Sequence, residues 1–253
     1  MAGIGFELYK ILHKGTLSSI VQAFFLGMII VAGPWILSVL TIYIIQTYTF
    51  GAIANNPALF TVSIVYVYAF SLFLSGGFHY VFSRYIADQL YIENYETIPT
   101  ALLTAIIIIT ILSILPALAF VCFNDFSFIQ FQTLYILSLV SLFVVINILW
   151  IMLVYIALLK AYYKIFFSYL AGTIASIYGV LYLGKLYGVA GALCGYTIGQ
   201  AVIVLLLIAI SQITYPLKKF TLNKEFIASF KEHKRIFLMG CFFNMAIWSD
   251  KML

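Results

Sequence analysis

The residue types able to do acid–base, nucleophilic or metal chemistry are few in this 253-residue sequence, and they are scattered. His13, His79 and His233 stand far apart, and no HExxH spacing sets two imidazoles on one helical face for a metal. Cys122, Cys194 and Cys241 share no short spacing, so neither a zinc site nor a disulfide framework is indicated. Gly3 and Gly5 form a GxG at the N-terminus, but no strand precedes them to build a dinucleotide loop. A Walker lysine and a GxSxG nucleophile elbow are both missing, which argues against P-loop hydrolysis and serine-hydrolase chemistry. The expectation is a protein that is not an enzyme, with no catalytic set, no metal site and no cofactor.

The carboxylates lead the same way. Glu7, Asp88, Glu93, Glu96 and Asp125 fall in terminal or polar segments, and Asp250 sits beside Lys251 near the end of the last apolar run. Ion-coupled carriers commonly hold an acid deep in the membrane, where it exchanges a proton or binds a cation. No such group is expected within the first six apolar runs.

What remains are polar and small residues inside those runs. Asn147 and Gln200 each fall near the middle of a run, and a side-chain amide in hydrocarbon is costly without partners, so both should face inward. One reading is interhelical hydrogen bonding, worth under ~1 kcal/mol; the other is a polar lining for a substrate path. Gly33-Pro34 lies mid-run, where proline removes a backbone hydrogen bond and kinks a helix. Such a kink is either a hinge beside a cavity or simply shape. Gly191, Gly195 and Gly199 recur at i, i+4 and i+8, which puts them on one face and lets a second helix approach closely. Ala171, Ala175 and Gly179 offer a similar face on the preceding run, against which they would pack. Gly76-Gly77 is read as a loosened stretch of helix just before His79 and Arg84.

The elements that must position these residues follow from composition. The chain is 65% hydrophobic and 8% charged, and its mean hydropathy is +1.13; a soluble domain carries about a quarter charged residues. A span needs about 20 mostly apolar residues, and six runs qualify: Ser19–Gln46, Ala58–Phe82, Ile98–Cys122, Thr133–Leu159, Ile165–Gly184 and Gly188–Ile213. The short gaps between them leave no room for a soluble domain. The first run is too long for a cleavable signal core of roughly 7–15 residues. The fold expected is an all-α polytopic membrane bundle.

Charge records orientation. Lys10, Lys14, Arg84, Lys160, Lys164, Lys218, Lys219, Lys224, Lys231, Lys234 and Arg235 make eleven of the thirteen Lys/Arg fall on one alternating set of gaps, against Lys185 on the other. Basic loops stay on the cytoplasmic side, which predicts a cytoplasmic N-terminus. The net charge of +5 is spread over these gaps and forms no groove for nucleic acid; anionic lipid headgroups and topology account for it.

The resulting division is 1–18 as an interfacial segment, 19–214 as a six-span lobe, 215–235 as a basic linker, and 236–253 as the start of a seventh span. Because that run begins directly after a long linker, the sequence reads as one lobe plus the opening helix of a second. A seven-span protein with a short exterior tail is the other arrangement.

The opening MAGIGFELYKIL (Met1–Leu12), the Gly33-Pro34-Trp35 triplet and the closing FFNMAIWSDK (Phe242–Lys251) resemble the PelG family of inner-membrane exopolysaccharide exporters. Its members are similar to the wider multidrug/oligosaccharide-lipid/polysaccharide (MOP) exporters, in which two six-helix lobes, MATE-like, enclose a central cavity. The resemblance implies export of a Pel-type amino-sugar polymer across the cytoplasmic membrane. It also implies a cytosolic glycosyltransferase and membrane-anchored Pel subunits as partners. No catalytic residue carries over. A lipid-linked oligosaccharide flippase or a multidrug exporter on the same scaffold, and a non-transporting membrane scaffold for synthesis machinery, are the alternatives. The 19 tyrosines and 23 phenylalanines offer stacking surfaces for pyranose rings, but aromatic side chains also crowd membrane interfaces for ordinary reasons.

Overall fold

A computed structural model describes residues 13, 15–49, 57–159 and 161–252, with the side chains of 25–26, 28–35, 48–49, 57 and 247–252 outside the description. The described chain is all-α. Its helices are α1 (Leu17–Thr49), α2 (Pro57–Tyr91), α3 (Thr97–Phe123), α4 (Gln132–Leu158), α5 (Tyr162–Thr214), α6 (Lys224–Glu232) and α7 (Lys234–Met252).

Among the described residues, α2 (from Ala58), α3, α4 and α5 are long and apolar enough to cross a membrane. They are apolar around their whole circumference, as helices solvated by lipid or by one another must be. The outward positions remain hydrophobic: Val39, Tyr66, Phe70, Leu115, Leu137, Tyr178 and Leu205 are all exposed large apolar side chains. Inside, Phe60, Ile64, Phe82, Leu142, Ile146, Tyr155 and Tyr196 form the core of a bundle centred on α2, α4 and α5. The molecule is a multi-pass membrane helix bundle.

The expected fifth and sixth spans take a form the hydropathy pattern did not show. They are one 53-residue element, α5, interrupted only at Gly188, whose φ of 60° and ψ of −137° are non-helical. A Cβ is strongly disfavoured in that backbone region, so glycine is the residue that permits a reversal in one step. The arms before and after it run antiparallel. Gly172 meets Ile203, Gly199 meets Ser176, and Gly179 meets Gly195 so closely that a Cβ on Gly179 would lie 2.8 Å from the Gly195 carbonyl oxygen. Gly191, Gly195 and Gly199 thus face Leu183, Gly179 and Ser176. On the first arm the contacting face is Gly172, Ser176 and Gly179; Ala171 is exposed and Ala175 only half-buried.

The reversal defines two ends. At the Gly188 end lies the 124–131 turn, where Phe131 stacks edge-on against Tyr187 at 5.3 Å. There the Ser127 backbone N–H and hydroxyl both donate to Asp125 and hold its carboxyl below the ordinary range. At the other end Tyr95 stacks on Tyr215 at 5.6 Å, joining the α2–α3 turn to the chain leaving α5. Arg84, Lys164, Lys218, Lys219, Lys224, Lys231, Lys234 and Arg235 gather at this second end, and Lys185 sits at the first. Lys10, Lys14 and Lys160 lie outside the described residues, as do the side chains of Asp250 and Lys251.

The linker is structured. Asn223 has extended backbone and caps α6 by accepting from the Phe226 N–H at 2.9 Å. Its own N–H donates to Thr104 Oγ1 at 2.8 Å, Tyr85 donates to its Oδ1 at 3.3 Å, and its Nδ2 reaches Thr97 O and Thr100 Oγ1, both at 3.4 Å. One asparagine therefore ties α6 to α2 and α3. Phe226, fully buried, fills a box of Phe78, Phe82, Tyr85 and Phe230 with centroids 5.3–6.0 Å away. Beyond it α7 lies along α2, with Gly240 against Gly76 and Gly77. Gly76-Gly77 does not loosen α2, which runs unbroken through it; the pair forms the bed that α7 occupies.

Candidate functional site

The most polar assembly within the bundle is built on α2, α4 and the second arm of α5. Gln200, 4% exposed, faces inward from α5, and Tyr196 sits one turn before it on the same face. Across from them on α2, the Tyr68 hydroxyl donates to Gln200 Oε1 at 3.3 Å and lies 3.2 Å from the Tyr196 hydroxyl. A phenol has one proton. With Tyr68's given to Gln200, Tyr196 is the donor to Tyr68, and a relay Tyr196 to Tyr68 to Gln200 results. Both contacts are long for hydroxyl hydrogen bonds.

Aromatic faces surround the relay. Tyr68 meets Trp150 of α4 edge-on at 6.2 Å, and Phe60 meets Tyr196 in the same way at 6.2 Å. The Trp150 indole N–H donates to Ser71 Oγ at 2.9 Å, which fixes the ring's orientation. Beside these rings a cleft of about 160 Å³ opens between α1, α2, α4 and the first arm of α5, lined by Ser38, Val39, Ile42, Tyr68, Leu72, Trp150 and Tyr169 among others. Thr41 bonds Thr173 at 3.0 Å and pins α1 to α5. The wall is almost wholly apolar, with Ser38, Tyr68 and Tyr169 its hydroxyl-bearing residues, and such a wall suits the C–H face of a ligand.

Four buried polar atoms have no hydrogen-bond partner among the described residues: His79 Nε2, Asn147 Oδ1, Tyr155 OH and Ser176 Oγ. Asn147 is fully buried on α4, and its amide donates to Phe143 O of its own helix at 2.8 Å. No hydrogen bond among the described residues joins it to the Gln200 relay. His79 lies edge-on to Trp150 at 6.4 Å, on the far side from Tyr68 in the sequence of α2. Among the described residues no three His, Cys, Asp or Glu side chains come together in a way that would hold a metal ion.

Of the residues singled out in sequence, Gln200 lies in this assembly, Asn147 stands apart from it, and Gly191, Gly195 and Gly199 form the hairpin seam. Gly33 and Pro34 lie on α1, with side chains outside the described residues. Tyr68, Ser71, Trp150 and Tyr196 were missed, because single aromatic residues do not stand out among so many. The available signal was the i, i+4 pairing of Tyr196 with Gln200, two hydrogen-bonding side chains on one apolar helical face.

The model of the PelG family, described as "Putative exopolysaccharide Exporter (EPS-E)", matches residues 1–253. No curated protein and no solved structure matches the chain.

Proposed function

Because the chain belongs to the PelG family, we propose that it exports a Pel-type amino-sugar polymer across the cytoplasmic membrane. The match over residues 1–253 carries this reading. The aromatic cleft beside Tyr68 and Trp150 supports it: a pyranose presents apolar C–H faces to these rings and a hydroxyl to Tyr68, the one member of the Tyr196–Tyr68–Gln200 relay that lines the cleft.

Residues 19–214 act as one lobe and 215–235 as a linker, and α7 opens a second lobe, so that substrate passes between lobes as in the MOP superfamily. The basic end of the bundle faces the cytoplasm, by the positive-inside bias. The long Tyr68 bonds are ones a sugar hydroxyl replaces at small cost, since a net hydrogen bond is worth about 1 kcal/mol. A cytosolic glycosyltransferase and membrane-anchored Pel subunits deliver the polymer.

The test is polymer secretion in a strain whose gene has been deleted and then restored as wild type, Tyr68→Phe or Trp150→Ala. Deletion abolishes secretion. Trp150→Ala lowers it severalfold with membrane levels of the protein unchanged, and Tyr68→Phe lowers it less. Normal secretion by the deletion strain overturns the assignment; normal secretion by both variants removes the cleft from the path.

A further inference from the structure

The segment 218–235 holds six cations, Lys218, Lys219, Lys224, Lys231, Lys234 and Arg235, and all are exposed. Only Glu225 and Glu232 oppose them within the segment, and the nearest external acid, Glu96, stands 4.0 Å from Lys218 with both side chains largely in solvent. Arg84, at the same end, is already paired with Asp88 at 3.0 Å. The positive charge of the segment is thus mostly uncompensated by protein.

Its position is fixed. Asn223 and Phe226 anchor one face of α6 to α2 and α3, so the opposite face, with Lys224, Ile227 and Lys231, points away from the protein. Lys234 and Arg235 occupy the first turn of α7. The cations therefore lie at the level where α2 ends and α7 begins, which for a membrane bundle is the headgroup layer. Interleaved with them are the exposed Phe220 (79%), Leu222 (55%) and Ile227 (44%). Apolar side chains left bare beside lysines fit an interface that takes hydrocarbon and phosphate together. An acidic soluble partner would account for the charge but not for the apolar residues.

We propose that residues 218–235 form a docked interfacial surface that binds the phosphodiesters of anionic lipid headgroups. Headgroup binding there draws α6 and the start of α7 against the bilayer and holds α7 on its bed of Gly76 and Gly77. The proposal depends on the membrane setting of the bundle and not on what it exports.

Native mass spectrometry of the whole chain, released from nanodiscs holding equal phosphatidylglycerol and phosphatidylcholine, tests it. The wild type should retain phosphatidylglycerol at least fivefold over phosphatidylcholine. The variant Lys224→Gln/Lys231→Gln/Lys234→Gln/Arg235→Gln should fall to near parity, and Lys185→Gln at the other end should keep the preference. Should the fourfold variant not fold, Lys218→Gln/Lys219→Gln, in the extended stretch before α6, should lose about half of the preference. Parity in the wild type, or a preference that survives both variants, overturns the proposal. So does binding of polyglutamate, lost in the fourfold variant, by a wild type indifferent to lipid charge; that result makes the surface a protein-docking site.

Discussion

Two seams in this bundle are made of glycine, and they hold different things. In the α5 hairpin, Gly179 and Gly195 bring backbone against backbone between arms joined by a single residue, Gly188. In the α2–α7 seam, Gly76, Gly77 and Gly240 also bring two helices close, but the neighbours include the side chains of Tyr80, Phe237, Cys241 and Asn244. The two helices are joined only through the long path of α3 to α6. The hairpin has nowhere else to go. The second seam is held by side-chain packing and by the Asn223 anchor, so it is the one that can open without the chain unfolding. Close glycine approach by itself therefore does not separate a static joint from a movable one; connectivity and anchoring do.

The strongest way to break the comparison is Gly195→Leu. Even a Cβ there would overlap the backbone of Gly179 and Val180, so a leucine must part the two arms, at a cost beyond the about 1–3 kcal/mol of ordinary core overpacking; folded protein in detergent should be largely lost, as read by size-exclusion chromatography. Phe226→Ala comes next. It empties the aromatic box at a cost of about 3–5 kcal/mol if the box does not collapse, and the loss should appear as proteolysis within 215–235 while the α5 hairpin stays resistant. If both regions became labile together, the two seams would not be independent.

A sharper probe is Gly77→Cys. A Cβ at position 77 lies 2.6 Å from Cys241 Sγ, so with Cys122 and Cys194 replaced by Ser a 77–241 disulfide should form under mild oxidation and make the oxidised chain migrate differently from the reduced chain on a denaturing gel. Its absence would mean that α7 does not rest on α2. The smallest effect belongs to Gly184→Ala on the hairpin itself. The new Cβ would meet Ala192 Cβ at 3.5 Å, an ordinary contact. With helix propensity gained, the melting temperature should stay level or rise by a degree or two. A large drop would show that the hairpin is tighter near its tip than its spacing indicates.

The same contrast explains what could be read from the sequence. Hydropathy found the all-α membrane bundle and its four long apolar helices, because an apolar circumference is a property of each helix alone. The seam at Gly191, Gly195 and Gly199 was legible for the same reason: its spacing is local. Gly76-Gly77 was misread as a loosened stretch because its meaning depends on Gly240, far along the chain. Asn223 shows the limit most clearly. It appears as one polar residue in a lysine-rich linker, yet it binds groups from Tyr85, Thr97, Thr100 and Thr104. Tyr68 and Trp150 were hidden by abundance, and the relay exists only because the fold brings α2 beside the second arm of α5.

The reversal at Gly188 also constrains how the protein is made. With a single residue between its arms, α5 has no loop on which one arm could rest without the other, so insertion of the two arms as a pair is the expected route. On the proposed orientation, with the basic end cytoplasmic, Lys185 just before the turn crosses the hydrocarbon with them. A lysine at the centre of a span costs about 2.5–3.5 kcal/mol to insert, and here that cost is transient, relieved once the tip emerges.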